Sequence, residues 1–582
     1  MRVKLAKTAG FCMGVRRAMD ITLKSIARHE TSPSTFGPLI HNPQVLDLLK
    51  EKGVEICEAP TSMEPNQPLI IRAHGIPPQT RAALKDQGVR IIDATCPRVL
   101  NVQSIIKSHT KKGGFTIIVG DLNHPEVIGL MGYAGKEGMI VSRLEDVEKI
   151  PHGKKLCVVA QTTQNNAKYN QMAQQIHERF PDAEIYQTVC DSTQDRQDET
   201  ARMAASVDAM IVVGGKNSAN TARLTEQVRE LGRPVFQVET DEEIDPSWFR
   251  NCEVVGITAG ASTPNWIIQR VVRTVEDIVP AGRGATVLFR FRAVLNFLVE
   301  SDLYGAFAVG CLAYVATKLQ ELPFRLAYLV IPMAYVYSMH ILNRFTDAEA
   351  VRFNDPSRAE FYEKHGRTLR SVGIGSMLLA LVVSLSLGLP IFLFLLAACV
   401  GGVTYSLSFI PSGRLKRVKY RKLKDIPGSK TLFIALAWAG VTTLTAPLST
   451  SFDLNPNLFA TFVTIAALVL IRSATFDLRD IQGDLIVGKE TIPIVLGKKN
   501  TQRLLILLAM LTGVAFMALP VLGILPYLSY GLVLGILYIG YCLYLVFRRE
   551  FMRSEHLEIL TDGGFILVGL IALIWQAAEL PL

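Results

Sequence analysis

No Cys-x-x-Cys pair occurs in this chain, and its nine cysteines, an odd number at scattered spacings, outline neither a disulfide framework nor a zinc ribbon. Zinc-finger, RNP and helix-turn-helix patterns are also missing, so no nucleic-acid partner is expected from the net charge of +9. That charge comes largely from compact basic loops in the second half, as membrane-surface electrostatics would have it. No convincing GxGxxG turn follows a strand-like run and no flavin site is visible, so electrons for any redox chemistry must come from outside. The amino terminus opens like a secretory signal, but Gly10, Gly14, Arg16 and Arg17 interrupt the apolar run that should follow. The first half is therefore expected in the cytoplasm, where thiols stay reduced.

What is present divides the chain in two. The first half mixes charge with short apolar runs at 69–71, 90–92, 116–119, 156–159, 210–213, 235–238 and 254–257. Many are continuous, as parallel strands covered on both faces require. Helical stretches at 44–52, 166–180 and 221–231 alternate with them, an α/β pattern.

Three cysteines share one setting. Cys12, Cys96 and Cys190 each lie at a turn before a polar or basic helical start, and three equivalent lobes presenting one thiolate apiece to a common centre would explain the spacing. Cys57, Cys157 and Cys252 lie in or beside apolar runs, where a cysteine is a small buried hydrophobe. The run ending at Val119 exits into Gly120-Asp121-Leu122-Asn123-His124-Pro125-Glu126, whose residues disfavour continuing a strand. His124 and Glu126 are thereby left on a loop, where they could handle protons or simply face solvent.

The segments AGFCMGVRRA, GPLIHNP, RAHGIPP, DATCPRV, DLNHPEV, QTTQ, VCDSTQDRQ, GGKNSANTARL and GITAGAST occur in this order over roughly residues 1–280. They resemble the signature segments of the 4-hydroxy-3-methylbut-2-enyl diphosphate reductase family, LytB or IspH. The resemblance implies a three-lobed α/β fold around a [4Fe-4S] cluster held by Cys12, Cys96 and Cys190, with one iron left without a cysteine. It implies reductive dehydroxylation of that diphosphate to isopentenyl and dimethylallyl diphosphates, the last step of the methylerythritol phosphate route. Glu126 takes the family's proton-donor position, with His124 and Thr162 or Thr163 in the supporting network. His41, His74, His124, Ser218, Asn220 and Ser262 take the diphosphate-binding positions. Ala219 departs from a serine that many relatives carry. A ferredoxin or flavodoxin is the implied electron donor.

Residues 281–300 read as a Pro/Gly linker followed by an interfacial helix in which Arg290 and Arg292 lie among Leu, Phe and Val. Nine apolar runs follow in 301–582, at 303–319, 322–342, 371–387, 389–409, 431–448, 458–474, 504–522, 526–547 and 563–580. Each approaches the ~20 residues that cross a bilayer, so about nine transmembrane helices are expected. Arg414, Lys416, Arg417, Lys419, Arg421, Lys422 and Lys424 crowd the loop after the fourth run, and other basic residues follow the second, sixth and eighth. By the positive-inside rule these loops and the first half are cytoplasmic, the carboxyl terminus is outside, and the chain is a multi-pass protein of the cell inner membrane.

Asp477, Asp480 and Asp484 stand at helical spacing, a pattern suited to Mg²⁺ and a diphosphate. With YSLSFIPSGRLKR and DLRDIQGDLIVGKETIPIVLG, residues from about 300 to 582 resemble the UbiA-type intramembrane prenyltransferases. That family carries two Asp-rich motifs. The second matches here, whereas the first, NRFTDAEAV, keeps Asn343 and Asp347 but has Arg344 and Val351 at acid positions. The resemblance implies Mg²⁺ at Asp477, Asp480, Asp484, Asn343 and Asp347 and transfer of a prenyl group to an acceptor. A noncatalytic membrane anchor or lipid-binding module is the alternative that the eroded motif leaves open.

Overall fold

The computed structural model describes residues 2–28, 33–58, 67–278, 286–406, 426–450, 452–548 and 552–578, without the side chains of 286–290, 292 and 406. The expected linker at 280–284, the side chains of Arg290 and Arg292, the basic run 414–424 and the terminal Leu582 lie outside this description. The chain forms two compact units, Met1–Ala281 and Gly282–Leu582.

In the first unit the strands run in chain order β1 (Arg2–Leu5), β2 (Ser34–Phe36), β3 (Glu55–Cys57), β4 (Leu69–Ile71), β5 (Ile91–Asp93) and β6 (Phe115–Val119). They continue as β7 (Gly138–Val141), β8 (Leu156–Ala160), β9 (Glu184–Ile185), β10 (Ala209–Val213), β11 (Val235–Val238) and β12 (Val254–Ala259). Three four-stranded sheets result, ordered β3-β2-β4-β5, β7-β6-β8-β9 and β11-β10-β12-β1. Every pairing is parallel. The central strands are the apolar ones: β4, β8 and β10 are buried at every residue. Each sheet is one lobe, and the three lobes are built alike. Two adjacent central strands and one edge strand of each send their carboxyl ends toward the loops that carry functional groups, the position where open parallel sheets bind ligands.

Where expectation and structure differ in this unit, short length and, for most strands, edge position are the cause. Strands β1, β2, β3, β7 and β9 were not anticipated, because they are two to four residues long and four of them lie at sheet edges with exposed or half-buried residues. The run expected at 90–92 is β5 at Ile91–Asp93, extended by the register Ile71↔Asp93 with its neighbour.

The second unit is helical. Among the described residues six helices are long and apolar enough to cross a membrane: Pro356–Leu387, Ser429–Ser449, Pro456–Val487, Lys498–Val521, Leu528–Arg548 and Ser554–Ala577. Ala293–Glu300 and Leu303–Leu319 meet at 76° and would make a seventh if they form one broken span. Two other expected spans fall on Ala327–Thr346, which contains Pro332, His340 and Arg344, and on the short Leu389–Ser406. The helices pack around a core that includes Leu312, Tyr335, Trp438, Leu468, Leu505 and Phe565. Leu378, Val382, Phe459, Val514 and Leu537 face outward, an apolar exterior that suits lipid.

Candidate functional site

The threefold design of the first unit brings its groups to one place. Central strands β2 and β4 lead into His41 and His74; β6 and β8 lead into His124, Glu126, Thr162 and Thr163; β10 and β12 lead into Ser218, Asn220 and Ser262. The edge strands β5, β9 and β1 lead into Cys96, Cys190 and Cys12. All twelve residues line a single cavity.

Each cysteine stands just before a helix, Met13–Arg28, Pro97–Lys111 or Asp191–Ala204, where the first N–H groups lack intrahelical partners. The Val15 N–H reaches the Cys12 sulfur at 3.5 Å. Arg98 and Val99 donate to Cys96, and Ser192 and Thr193 to Cys190. Burial nonetheless raises the Cys96 and Cys190 thiols, and the neighbouring sulfurs raise them further. Three converging thiols of this kind need a cationic centre to ionise together, which a metal cluster supplies. The sulfurs also need room. A Cβ on Gly14 would lie 2.6 Å from the Cys96 sulfur, so only glycine lets this helix pass the thiol.

Arginines staple the three cysteine loops in a cycle. Arg17, on the helix after Cys12, donates to the Thr95 carbonyl beside Cys96 at 2.9 Å. Arg98, on the helix after Cys96, pairs with Asp191 beside Cys190. Arg196, buried on the helix after Cys190, donates to the Gly10 carbonyl ahead of Cys12 at 2.9 Å and to Ala259 at 2.6 Å.

The cysteine backbones are tied to the opposite wall. Cys96 N–H donates to the Ala73 carbonyl at 2.9 Å, Cys12 N–H to Ala261 at 3.1 Å and Cys190 N–H to Thr162 at 2.9 Å. Ala73 and Ala261 immediately precede His74 and Ser262.

The histidine rings of His41, His74 and His124 lie 4.8, 5.3 and 5.9 Å apart by centroid. His124 Nδ1 accepts the Glu126 N–H at 3.1 Å, so in the neutral ring the proton is on Nε2. Burial lowers all three, with neighbouring cations adding to the effect, and brings His124 to about 4. His41 Nε2, His74 Nδ1 and Asn220 Nδ2 are buried without a hydrogen-bond partner among the described residues. Such groups are costly unless a ligand satisfies them, and a polyanion would. Ser218 caps the helix Ala219–Glu230, while the Ser262 hydroxyl donates to the His41 carbonyl at 2.9 Å.

Glu126 is 1% exposed, and burial raises its carboxyl above the ordinary range. Thr162 is its direct partner, through backbone and hydroxyl. Thr163 is held from behind: Arg223 donates to its carbonyl at 2.6 Å and to its hydroxyl at 3.1 Å, and pairs with Asp121 at 2.6 Å.

A second cavity lies in the helical unit. Asp347, Asp477, Asp480, Asp484 and Asn343 all line it. So do Asp355 and six cations, Arg344, Arg358, Lys430, Arg472, Arg479 and Lys489. Lys489 pairs with Asp347 at 2.6 Å and Arg479 with Asp480 at 2.5 Å. The Thr431 hydroxyl donates to Asp477 at 2.5 Å, and Asn354 to Asp484 at 3.0 Å. Arg344 turns to Asp302 at 3.3 Å, beside the buried Arg358, which bonds Glu558 at 2.6 Å. Arg344, Arg358 and Arg472 are neutralised by Asp302, Glu558 and Asp562, so Lys430, Arg479 and Lys489 face five aspartates, and Asp484 Oδ2 is buried without a hydrogen-bond partner among the described residues, a carboxylate excess that fits a divalent cation.

The LytB protein family matches residues 3–276. The 4-hydroxy-3-methylbut-2-enyl diphosphate reductase of Aquifex aeolicus is 40% identical over 277 residues, 96% of that protein and 47% of this chain. The reductase of the same name from Pelobacter propionicus is 42% identical over 278 residues, 99% of that protein and 48% of this chain. The N-terminal half belongs to the LytB family. Residues 306–557 form a UbiA prenyltransferase family domain. Among solved structures, the E-1-hydroxy-2-methyl-but-2-enyl-4-diphosphate reductase of Plasmodium falciparum aligns over 47% of this chain and 87% of its own, at 30% identity and a TM-score of 0.46.

Within the LytB domain, sequence reading missed the residues that position others. Arg17, Arg98 and Arg196 lie inside the quoted segments, five, two and six residues after their cysteines. An arginine within two turns of each cysteine was the available signal. Arg223 likewise lies in GGKNSANTARL. In the UbiA domain Lys430 and Lys489 went unnoticed, because a lysine at a span end is ordinary. Arg414, Lys416 and Arg417 fall outside the described residues.

Proposed function

We propose that the LytB domain reduces 4-hydroxy-3-methylbut-2-enyl diphosphate to isopentenyl and dimethylallyl diphosphates, holding a [4Fe-4S] cluster on Cys12, Cys96 and Cys190. When bound, the cluster would supply Lewis acidity and pass on two electrons received from a ferredoxin or flavodoxin. The overall change breaks one C–O bond and forms one C–H bond, taking in two electrons and two protons and releasing water. His41, His74, Ser218, Asn220 and Ser262 fix the diphosphate, with His124 alongside. Burial favours the acid form of Glu126, which delivers a proton, and the Thr162 hydroxyl, able to donate or accept, relays it.

The observation that carries this reading is the shared cavity: three thiols on one side, partnerless histidine and asparagine nitrogens on the other, and a buried carboxyl between the chemistries they imply. Anaerobic purification with iron and sulfide counts, followed by product analysis on the named substrate, tests it. Full iron with no five-carbon product would refute the reductase reading.

For the UbiA domain we infer a multi-pass body of the inner membrane that takes a prenyl diphosphate for transfer to an acceptor, with the LytB domain on the cytoplasmic side. Basic-loop asymmetry supports the orientation, and the cluster of Asp477, Asp480 and Asp484 in one cavity supports the ligand. A prenyl-transfer assay on the full chain in vesicles tests it, and absence of transfer together with absence of prenyl diphosphate binding would leave a membrane anchor.

A further inference from the structure

A further cavity of the UbiA domain, about 830 Å³ in volume, lies where the helices Ala327–Thr346, Ala348–Asn354 and Pro356–Leu387 meet. Its wall carries Arg344, Arg352, Lys364, Arg367 and Arg370 against two carboxylates, Glu349 and Glu363. Arg344 turns to Asp302 at 3.3 Å and Arg352 to Glu363 at 3.9 Å. That leaves Lys364, Arg367 and Arg370 facing Glu349 alone. Lys364 and Arg367 are exposed and have no side-chain partner among the described residues. Arg370 is held in place by the Phe345 ring, 5.1 Å from its guanidinium carbon, and by the Gly366 carbonyl, which accepts from Nε at 3.1 Å. Its other N–H groups remain for a ligand. Arg344 and Val351 line this cavity as well as the one that gathers the aspartates. They are the two positions of the first motif at which acids are missing, and an acid at either would set a carboxylate in the wall of a basic pocket.

From Arg370 the same helix face continues through Ile374, Leu378 and Val382 at i+4 spacing, all three apolar and exposed. Arg370 to Val382 is a rise of roughly 18 Å, about the depth of one leaflet of a ~30 Å hydrocarbon core. Cations at a span end are ordinary by themselves. Here they line a pocket and are followed by a hydrocarbon track one leaflet deep. We propose that this cavity binds the headgroup phosphate of an anionic phospholipid, with an acyl chain along Ile374, Leu378 and Val382. A prenyl diphosphate also joins phosphate to hydrocarbon, but the track lies on the exterior of the bundle, where bilayer lipid is the surrounding solvent. The site is independent of both activities proposed above.

The test is equilibrium binding of fluorescent phosphatidylglycerol to the detergent-solubilised full chain, with unlabelled phosphatidylglycerol, phosphatidylcholine and geranylgeranyl diphosphate as competitors. Saturable binding at one site per chain is expected, displaced by phosphatidylglycerol and not by phosphatidylcholine, whose headgroup carries no net charge. Lys364→Gln combined with Arg367→Gln should weaken it by about tenfold or more. Both side chains are exposed and unpartnered, so this variant should fold as the parent does, and Arg370→Gln provides an independent second reading of the same site. Equal competition by phosphatidylcholine, or unchanged affinity in both variants, would overturn the proposal. Displacement by geranylgeranyl diphosphate and not by phosphatidylglycerol would overturn the phospholipid as occupant and assign the pocket to a prenyl diphosphate.

Discussion

Both carboxylate oxygens of Glu126 are held by Thr162, whose backbone N–H meets Oε1 at 2.6 Å and whose hydroxyl meets Oε2 at 2.9 Å. The carbonyl of the same threonine accepts the Cys190 N–H at 2.9 Å. The proposed proton donor and one proposed cluster ligand are thus fixed by a single residue.

Glu126→Gln keeps the size of the side chain and can still accept from Thr162, but it has no acidic proton. Turnover should fall ~10² to 10⁴-fold while iron content and substrate affinity stay at the parent level. Steady-state rates beside iron counts decide: a near-parent rate removes Glu126 from proton delivery, and lost iron makes it a structural residue.

Cys96→Ser should lose the cluster outright. The arginine cycle should divide by burial. Arg196→Met leaves the buried carbonyls of Gly10 and Ala259 without donors, at about 1–3 kcal/mol each, and should shorten the survival of the cluster under chelator. Arg98→Met removes an exposed ion pair worth about 0–1 kcal/mol and should change it little. Chelation half-lives in the opposite order would deny Arg196 its positioning role.

Because His41, His74 and His124 are lowered by burial, with His124 at about 4, all three are neutral at neutral pH in the ligand-free site. A bound diphosphate raises them, so binding takes up protons and tightens as pH falls from about 7.5 toward 5.5. Calorimetry in two buffers of different ionisation enthalpy measures the uptake. Uptake unchanged in His74→Gln would assign it to the ligand's own titration.

Residues 1–281 form a compact unit with all twelve cavity residues. Expressed alone, they should give a soluble, brown, active reductase. A well-folded fragment without iron would show that the UbiA domain completes the site.

Span number is open to a parity test. Six spans return the chain to the side from which it entered, whereas nine leave it on the other. A reporter fused after Leu582 should read as external and one within 416–424 as cytoplasmic; both on one side would reject nine.

The central strands of the LytB domain were legible because a strand covered on both faces must be apolar throughout, as β4, β8 and β10 are. Two-residue β9, exposed at both positions, carries no such mark. The cysteines were legible as three repeats of one local setting. Their staples were not, since Arg17 and Arg196 bond backbone carbonyls 78 and 186 residues away, and a carbonyl is the same whatever side chain it belongs to. In the UbiA domain the aspartates announced themselves by spacing, but Lys430 comes from another helix and Lys489, though in the same segment, meets Asp347 only through tertiary packing.

The three bonds from cysteine N–H groups to Ala73, Ala261 and Thr162 make the two walls of the LytB cavity share their loops. Whatever draws Cys96 aside also draws the residue before His74, and an anion that fixes His74 steadies Cys96 in return. If the LytB cavity binds both groups as proposed, metal affinity and diphosphate affinity are linked by reciprocity, each ligand strengthening the other by one common factor. On the proposed function, bound substrate would slow the loss of the cluster, and loss of the cluster would weaken the hold on substrate.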